Sequence, residues 1–326
     1  MKLVYHGIAR ILAAGMLVAF AGNAAAQQTY PHKPIRFICP FPPGGSTTAM
    51  ARLLGQKMAE SWGQPVIVDN RPGGDSVIGT QAAAKAPPDG YTILVASPKS
   101  LVINSLLLRN LSYDLFRDLA PVANLVSTEF ALVLNPSVPA NTLQEFIALA
   151  KAKPGQLNYG AAGGIAHIAV ELFLMTAGIQ MQYVPYKGGA QVVTDLLGGQ
   201  IQAAVQPPIF ASSQIRLGKL KALAITGERR FSELPTVPTF REAGLPAFDE
   251  KALFAVFAPA GTPPAIIKKL SIEIGRILAL PDSREKMASQ GLDPSYSTPE
   301  QLAELMKKDV AKFAKVIKAA NITIAQ

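Results

Sequence analysis

Three glycine pairs carry the most specific chemistry in this sequence. Gly44-Gly45 precedes Ser46-Thr47-Thr48, Gly163-Gly164 precedes residues 165–177, and Gly188-Gly189 precedes residues 190–197. A glycine pair opening a helix lets a ligand approach the backbone and leaves amide N–H groups without a helical acceptor. Those donors, together with the positive end of the helix dipole, suit a bound anion. One such pair alone would mean only a tight turn; the recurrence is what points to anion binding. Ser46 is expected to be an N-cap, its hydroxyl accepting from a free N–H. No Gly-Lys-Ser follows Gly44-Gly45 and no G-x-G-x-x-G follows a strand, so nucleotide binding is disfavoured.

Other reactive side chains are scarce. The histidines are His6, His32 and His167, and Cys39 is the single cysteine. An internal disulfide and a cysteine-built zinc cage are therefore excluded, and no metal site or cofactor is expected. A hydrolase needs a nucleophile, a base and an orienting group; there is no G-x-S-x-G elbow, and only carboxylate-based mechanisms stay formally open. His167 and Glu171 are four apart, which allows either a surface pair or a cleft imidazolium facing a ligand's charge. Lys187 could face an anion or merely be solvated. Ser97 follows a strand ending at Ala96 and is a cleft candidate. Cys39 and Trp62 read as packing residues.

Each glycine pair needs a strand ahead of it. Residues 34–41 (PIRFICPF), 156–164 (QLNYGAAGG) and 181–189 (MQYVPYKGG) supply these. Residues 65–69 and 91–96 are further strands around a helix at 78–85, punctuated by Asn70-Arg71-Pro72-Gly73-Gly74 and Pro87-Pro88-Asp89-Gly90. Alternating short strands and helices imply an α/β fold with mostly parallel sheets. In such sheets ligands bind at the carboxyl ends of strands, where the glycine loops would lie. Two long apolar runs, 122–134 and 252–258, are suited to crossing between lobes. That divides the chain into 27–125 plus 252–326 as one lobe and 126–251 as the other.

A length of 326 residues suits about two domains. Lys2, Arg10, the apolar residues 11–21 and Ala24-Ala25-Ala26 read in order as an export signal, residues 1–26, cleaved near Ala26. An 11-residue apolar run falls short of the ~20 needed to span a bilayer, and no later stretch reaches that length. The net charge is +9. Much of it lies in residues 300–320, where Leu302, Leu305, Met306, Val310, Phe313, Val316 and Ile317 form one helical stripe and the lysines mostly fall outside it. No aromatic residues interleave for base stacking, so nucleic acid is not an expected partner. Small anions would be attracted.

Several segments resemble one known family in order along the chain: PFPPGGST at 40–47, VDNRPGG at 68–74, PPDGYTIL at 87–94, VPYKGGAQVVTDLLGGQIQ at 184–202, LPTVPTFREAGLP at 234–246 and FAPAGTP at 257–263. The family is that of the periplasmic solute receptors of tripartite tricarboxylate transporters, the Bordetella uptake gene (Bug) receptors. The resemblance implies a type II-like periplasmic-binding-protein fold, two α/β lobes joined by two crossover strands. It implies a monomeric, periplasmic, non-spanning receptor that takes a di- or tricarboxylate or an aromatic acid between its lobes and delivers it to two inner-membrane transporter subunits. No cofactor is implied.

Carried over residue by residue, the resemblance assigns Phe41, Gly44, Gly45, Ser46 and Thr47 to the cleft, with Thr48 where the family usually has Asp. In the second loop Ala161, Ala162, Gly163 and Gly164 reach His167 early, with alanines where hydroxyls are expected. That loop should fit a different ligand shape or hold it through water. Gln206 stands where many relatives carry Asp or Asn; a neutral amide adds no repulsion toward an anion and offers two donors. Leu253 and Phe254 replace a Trp or Tyr and make that wall more apolar. A ligand-presenting sensor for signalling is an alternative to transport, and a secreted enzyme a more distant one.

Overall fold

The computed structural model describes residues 30–44, 46–186 and 188–322; the expected export signal, Gly45 and Lys187 lie outside them. The first stretch runs β1 (Ile35–Cys39), α1 (Ser46–Trp62), β2 (Val66–Asn70), α2 (Val77–Ala84), β3 (Thr92–Ala96), α3 (Pro98–Leu107), α4 (Leu115–Asp118) and β4 (Leu119–Glu129). The middle runs β5 (Ala131–Leu134), α5 (Leu143–Ala152), β6 (Asn158–Ala162), α6 (Gly163–Ala177), β7 (Gln182–Tyr186), α7 (Gly189–Leu197), β8 (Ala203–Gln206), α8 (Ser212–Arg216) and β9 (Lys221–Ile225). The chain closes with β10 (Lys251–Pro259), α9 (Pro264–Ala279), α10 (Pro281–Ala288), β11 (Asp293–Ser297) and α11 (Pro299–Ala319).

These strands build two sheets, ordered β11-β4-β10-β3-β1-β2 and β7-β6-β8-β5-β9. In the first, β1 is parallel to β2 and β3, while β10 runs antiparallel to β3 and β4. In the second, β6 is parallel to β7 and β8, and β5 is antiparallel to β8 and β9. Helices cover both faces, so β1 is apolar on each: Ile35, Phe37 and Cys39 join the core beneath α1 and α9, and Ile38 joins the core beneath α3 and α11. Cys39 is buried there as a small hydrophobe.

The apolar run 122–134 is two strands in two different sheets. β4 pairs with β10 from Leu119 opposite Pro259 to Glu129 opposite Lys251, so it stays in the first sheet past residue 126, where the sequence pattern placed the change of lobe. Phe130 is the crossing point. Its N–H donates to Thr226 Oγ1 at 2.8 Å, and its carbonyl accepts from the Thr226 N–H at 2.8 Å.

The apolar stripe of α11 packs as its spacing predicts, and the helix opens with a Thr298/Gln301 capping box. Helix α6 serves two cores. Ala166, Ala169, Val170 and Phe173 face the second sheet, whereas Ile168 packs among α3 and α11 residues of the first unit. One helix therefore forms much of the contact between the two sheet units.

Candidate functional site

The carboxyl ends of β1, β2 and β3 lie side by side in the first sheet, and their loops are tied together. Asn70, ending β2, donates from Nδ2 to the Phe41 carbonyl at 2.9 Å and to Thr48 Oγ1 at 2.7 Å. The Thr48 hydroxyl thus anchors the loop after β1 to β2. Ser46 is the first residue of α1. Thr47 is buried, Phe41 half-buried and Gly44 exposed, its φ of +95° requiring glycine. Gly79 lets the first two loops meet: a Cβ there would lie 2.7 Å from Pro40 Cβ and 2.8 Å from the Arg71 carbonyl. Ser97 caps α3, its Oγ accepting from the Ser100 N–H at 3.3 Å.

The loop after β2 holds four consecutive residues with positive φ: Gly73, Gly74, Asp75 and Ser76. The last two are not glycine, and Asp75 at φ 48° and Ser76 at 79° need outside support. Asn104 of α3 supplies it, donating from Nδ2 to the Asp75 carbonyl at 2.7 Å and to Ser76 Oγ at 3.3 Å. Thr80 Oγ1 also donates to the Ser76 carbonyl at 2.8 Å.

Opposite, β6 runs straight into α6 with no intervening loop. Ala161 and Ala162 are strand residues, Ala161 in the core, and Gly163 and Gly164 form the first turn of the helix. The expected loop at 161–164 is therefore a strand end and a helix start, because the alanines pair with Pro185 and Tyr186 of β7. Ala162 offers no capping side chain. The Gly164 N–H instead donates to Asp75 Oδ2 at 3.2 Å, a contact between the two sheet units. A glycine is suited here, since a Cβ on Gly164 would come within 3.2 Å of the same oxygen.

His167 lies one turn into α6. Its ring stacks on Tyr183 at 3.8 Å between centroids, tilts against Tyr159, and sets Nε2 3.6 Å from Glu171 Oε1. The pair reading of His167 and Glu171 describes its surroundings, with Tyr159 Oη also donating to Glu171 Oε1 at 2.5 Å. Burial and then the Asp75 charge hold the Tyr183 phenol above its ordinary pKa.

Gln206 ends β8, beside β6, so these strands finish next to each other at the α6 start. The residue is 3% exposed, yet neither amide atom has a hydrogen-bond partner. Such burial costs about 1–3 kcal/mol for each unsatisfied group. Phe254 differs from expectation. It packs against the core beneath α1 and α9, because neighbouring residues on a strand face opposite sides and cannot both line one wall.

Two features escape the sequence reading. Asp75 sits beyond Gly73-Gly74, a fourth glycine pair between strand and helix that reads as turn punctuation. A buried charge cluster flanks the start of β10: Lys99 Nζ and Lys312 Nζ both pair with the Glu250 carboxylate, with Asp309 nearby. Lys312 remains exposed along its side chain but, unlike the expectation for a purely solvated lysine, also pairs with a buried carboxylate. Burial pushes Lys99 down to about 8, and burial raises Asp309 above its ordinary range. No spacing rule joins residues 99, 250 and 312. Among the described residues, no grouping of His, Cys, Asp and Glu could hold a metal ion, and no helix is long and apolar enough to cross a membrane.

Comparison with known proteins agrees with this architecture. The family model of the tripartite tricarboxylate transporter family receptor matches residues 50–322. BugT of Bordetella pertussis is 40% identical over 315 residues, covering 95% of this chain and 97% of BugT. Among solved structures, a Rhodopseudomonas palustris protein with adipate superposes with a TM-score of 0.80 at 30% identity, covering 90% of this chain and 99% of that one. MatC from the same organism, with bound malate, gives 0.76 at 29% identity, covering 88% and 100%. The periplasmic binding protein BugD gives 0.76 at 30%, covering 90% and 99%. The chain belongs to the tripartite tricarboxylate transporter receptor family, whose fold and role are those of substrate-binding receptors.

Proposed function

We propose that this protein is an exported periplasmic receptor that captures a small carboxylate between its two sheet units and delivers it to two inner-membrane transporter subunits. The observation that carries the reading is the start of α6. The Gly164 N–H there faces across the molecule, has no capping side chain from its own helix, and donates to a carboxylate, that of Asp75, in the structure. The buried, unpartnered amide of Gln206 at the same strand ends adds donors suited to an anion's oxygen. The loop of Phe41 to Thr48, tied to β2 by Asn70, would form the facing wall. Phe130 and the approach to Lys251 are the two crossings about which the lobes would close, excluding water and strengthening polar contacts to the guest. Relatives solved with adipate and malate make dicarboxylates the first class to test.

A thermal melt against mono-, di- and tricarboxylates and aromatic acids tests this directly. A cognate acid at a hundred times its Kd should stabilise the fold by about 2.7 kcal/mol, and a smaller excess by correspondingly less. Absence of any shift across a millimolar panel would overturn the proposal. Native mass spectrometry of the purified protein would name a retained acid.

A further inference from the structure

We propose that Asp75 is an internal competitor: its carboxylate occupies the α6 start, holds the two sheet units together without ligand, and must yield to an incoming carboxylate. This rests on the receptor reading above and names the residue that sets its affinity. The contact joins residues 89 apart in sequence, one in the loop after β2 of the first sheet and the other at the helix start after β6 of the second. Helix α6 has no side-chain cap of its own, so its first donors await a partner from elsewhere. An anion at a helix N-terminus is favourable, whether it comes from the chain or from a guest. One N–H cannot serve two carboxylates at full strength, and two like charges at one helix start repel. Guest and Asp75 are therefore alternatives.

The loop is built to present this side chain. Asp75 and Ser76 sit in a backbone region that non-glycine residues rarely adopt, and Asn104 holds both from the first unit. Asn104 lies on α3, which packs against α6, and a Cβ on Gly164 would also touch Ile103 of that helix at 3.3 Å. Asp75 is exposed, at the edge of the contact, where a displaced side chain can swing to water. Gln206, at the end of β8 beside β6, is a second buried polar group near these strand ends whose amide has no partner in this arrangement.

Asp75→Asn is the cleanest variant, since asparagine also tolerates a left-handed backbone and removes only the charge. Asp75→Gly removes the acceptor as well and relieves the backbone strain. Calorimetric titration with the acid that gives the largest melt shift should show about two- to fivefold tighter binding for both variants, from the strength of a surface anion at a helix end. Small-angle scattering of the unliganded proteins should show a larger radius of gyration for both variants than for wild type. Unchanged compaction overturns the latch; expansion with unchanged or weaker affinity overturns the competition. If no acid binds wild type or variant, the receptor reading fails, and the scattering comparison still decides whether Asp75 holds the units together.

Discussion

Replacing Glu250 by Gln should destabilise the protein in a way that depends steeply on pH. Glu250 is 3% exposed and pairs with Lys99, which is 6% exposed, and with Lys312. Asp309 also favours the Lys99 charge, while Lys312 and Lys251 oppose it and Asp249 supports it. In the wild type burial lowers Lys99 from 10.5 to about 8, so at neutral pH the ammonium persists inside the fold. Without the Glu250 charge the ammonium loses its closest partner and the pKa falls further. Between the variant's new value and 8, the variant's native state binds one proton fewer than its unfolded chain, whereas wild type does not. The variant's stability therefore rises with pH across that window while the Lys99 contribution in wild type stays flat. The stability difference should shrink by slightly more than ~1 kcal/mol per pH unit on going up to pH 8, and level off above it. Urea unfolding followed by the fluorescence of Trp62, the single tryptophan, measures this at each pH. A difference constant from pH 6 to 9 would refute the claim that Glu250 keeps Lys99 charged.

Two further substitutions separate ligand binding from folding. Gln206→Leu removes a buried amide that has no partner, so stability should hold or rise, by up to about 1–3 kcal/mol, while affinity for the bound acid falls about tenfold or more. An unchanged Kd in calorimetry would remove Gln206 from the site. Gly79→Ala should destabilise by about 1–3 kcal/mol through overpacking, outweighing a helix-propensity gain of about 1, because the added methyl meets a proline ring and a backbone carbonyl. A higher urea midpoint for this variant would show that the loops after β1 and β2 can separate freely.

Much of the architecture is legible in one dimension. The alternation of short apolar strands with amphipathic helices appears as two sheets covered on both faces, but the expected mostly parallel pairing does not hold, because β10 and β11 beside β4, and β5 between β8 and β9, run antiparallel; the stripe of α11 appears as buried Leu302, Met306, Phe313 and Val316. Glycine pairs mark helix starts at Gly163-Gly164 and Gly188-Gly189 because only local backbone chemistry is needed to place them. The errors come where local signals compete with pairing. Residues 161–162 fall in a loop according to the family resemblance, yet β7 offers them partners and makes them strand. The run 122–134 reads as one strand because nothing local shows that its partner changes after Glu129. Phe254 reads as a cleft wall from its position in a motif, but the side it faces follows from strand alternation against a register that pairing sets.

The amino-acid order alone marks the strand–glycine–helix alternation and where backbone donors are left over, since periodicity and capping act within a few residues. Which carboxylate meets the amide of Gly164, which charges surround Lys99 and which amide stays unpaired at Gln206 depend on groups far apart in the chain. Those choices were decided only when the two sheets packed about α6, because hydrogen bonds and ion pairs act over a few ångströms and carry no trace in sequence spacing.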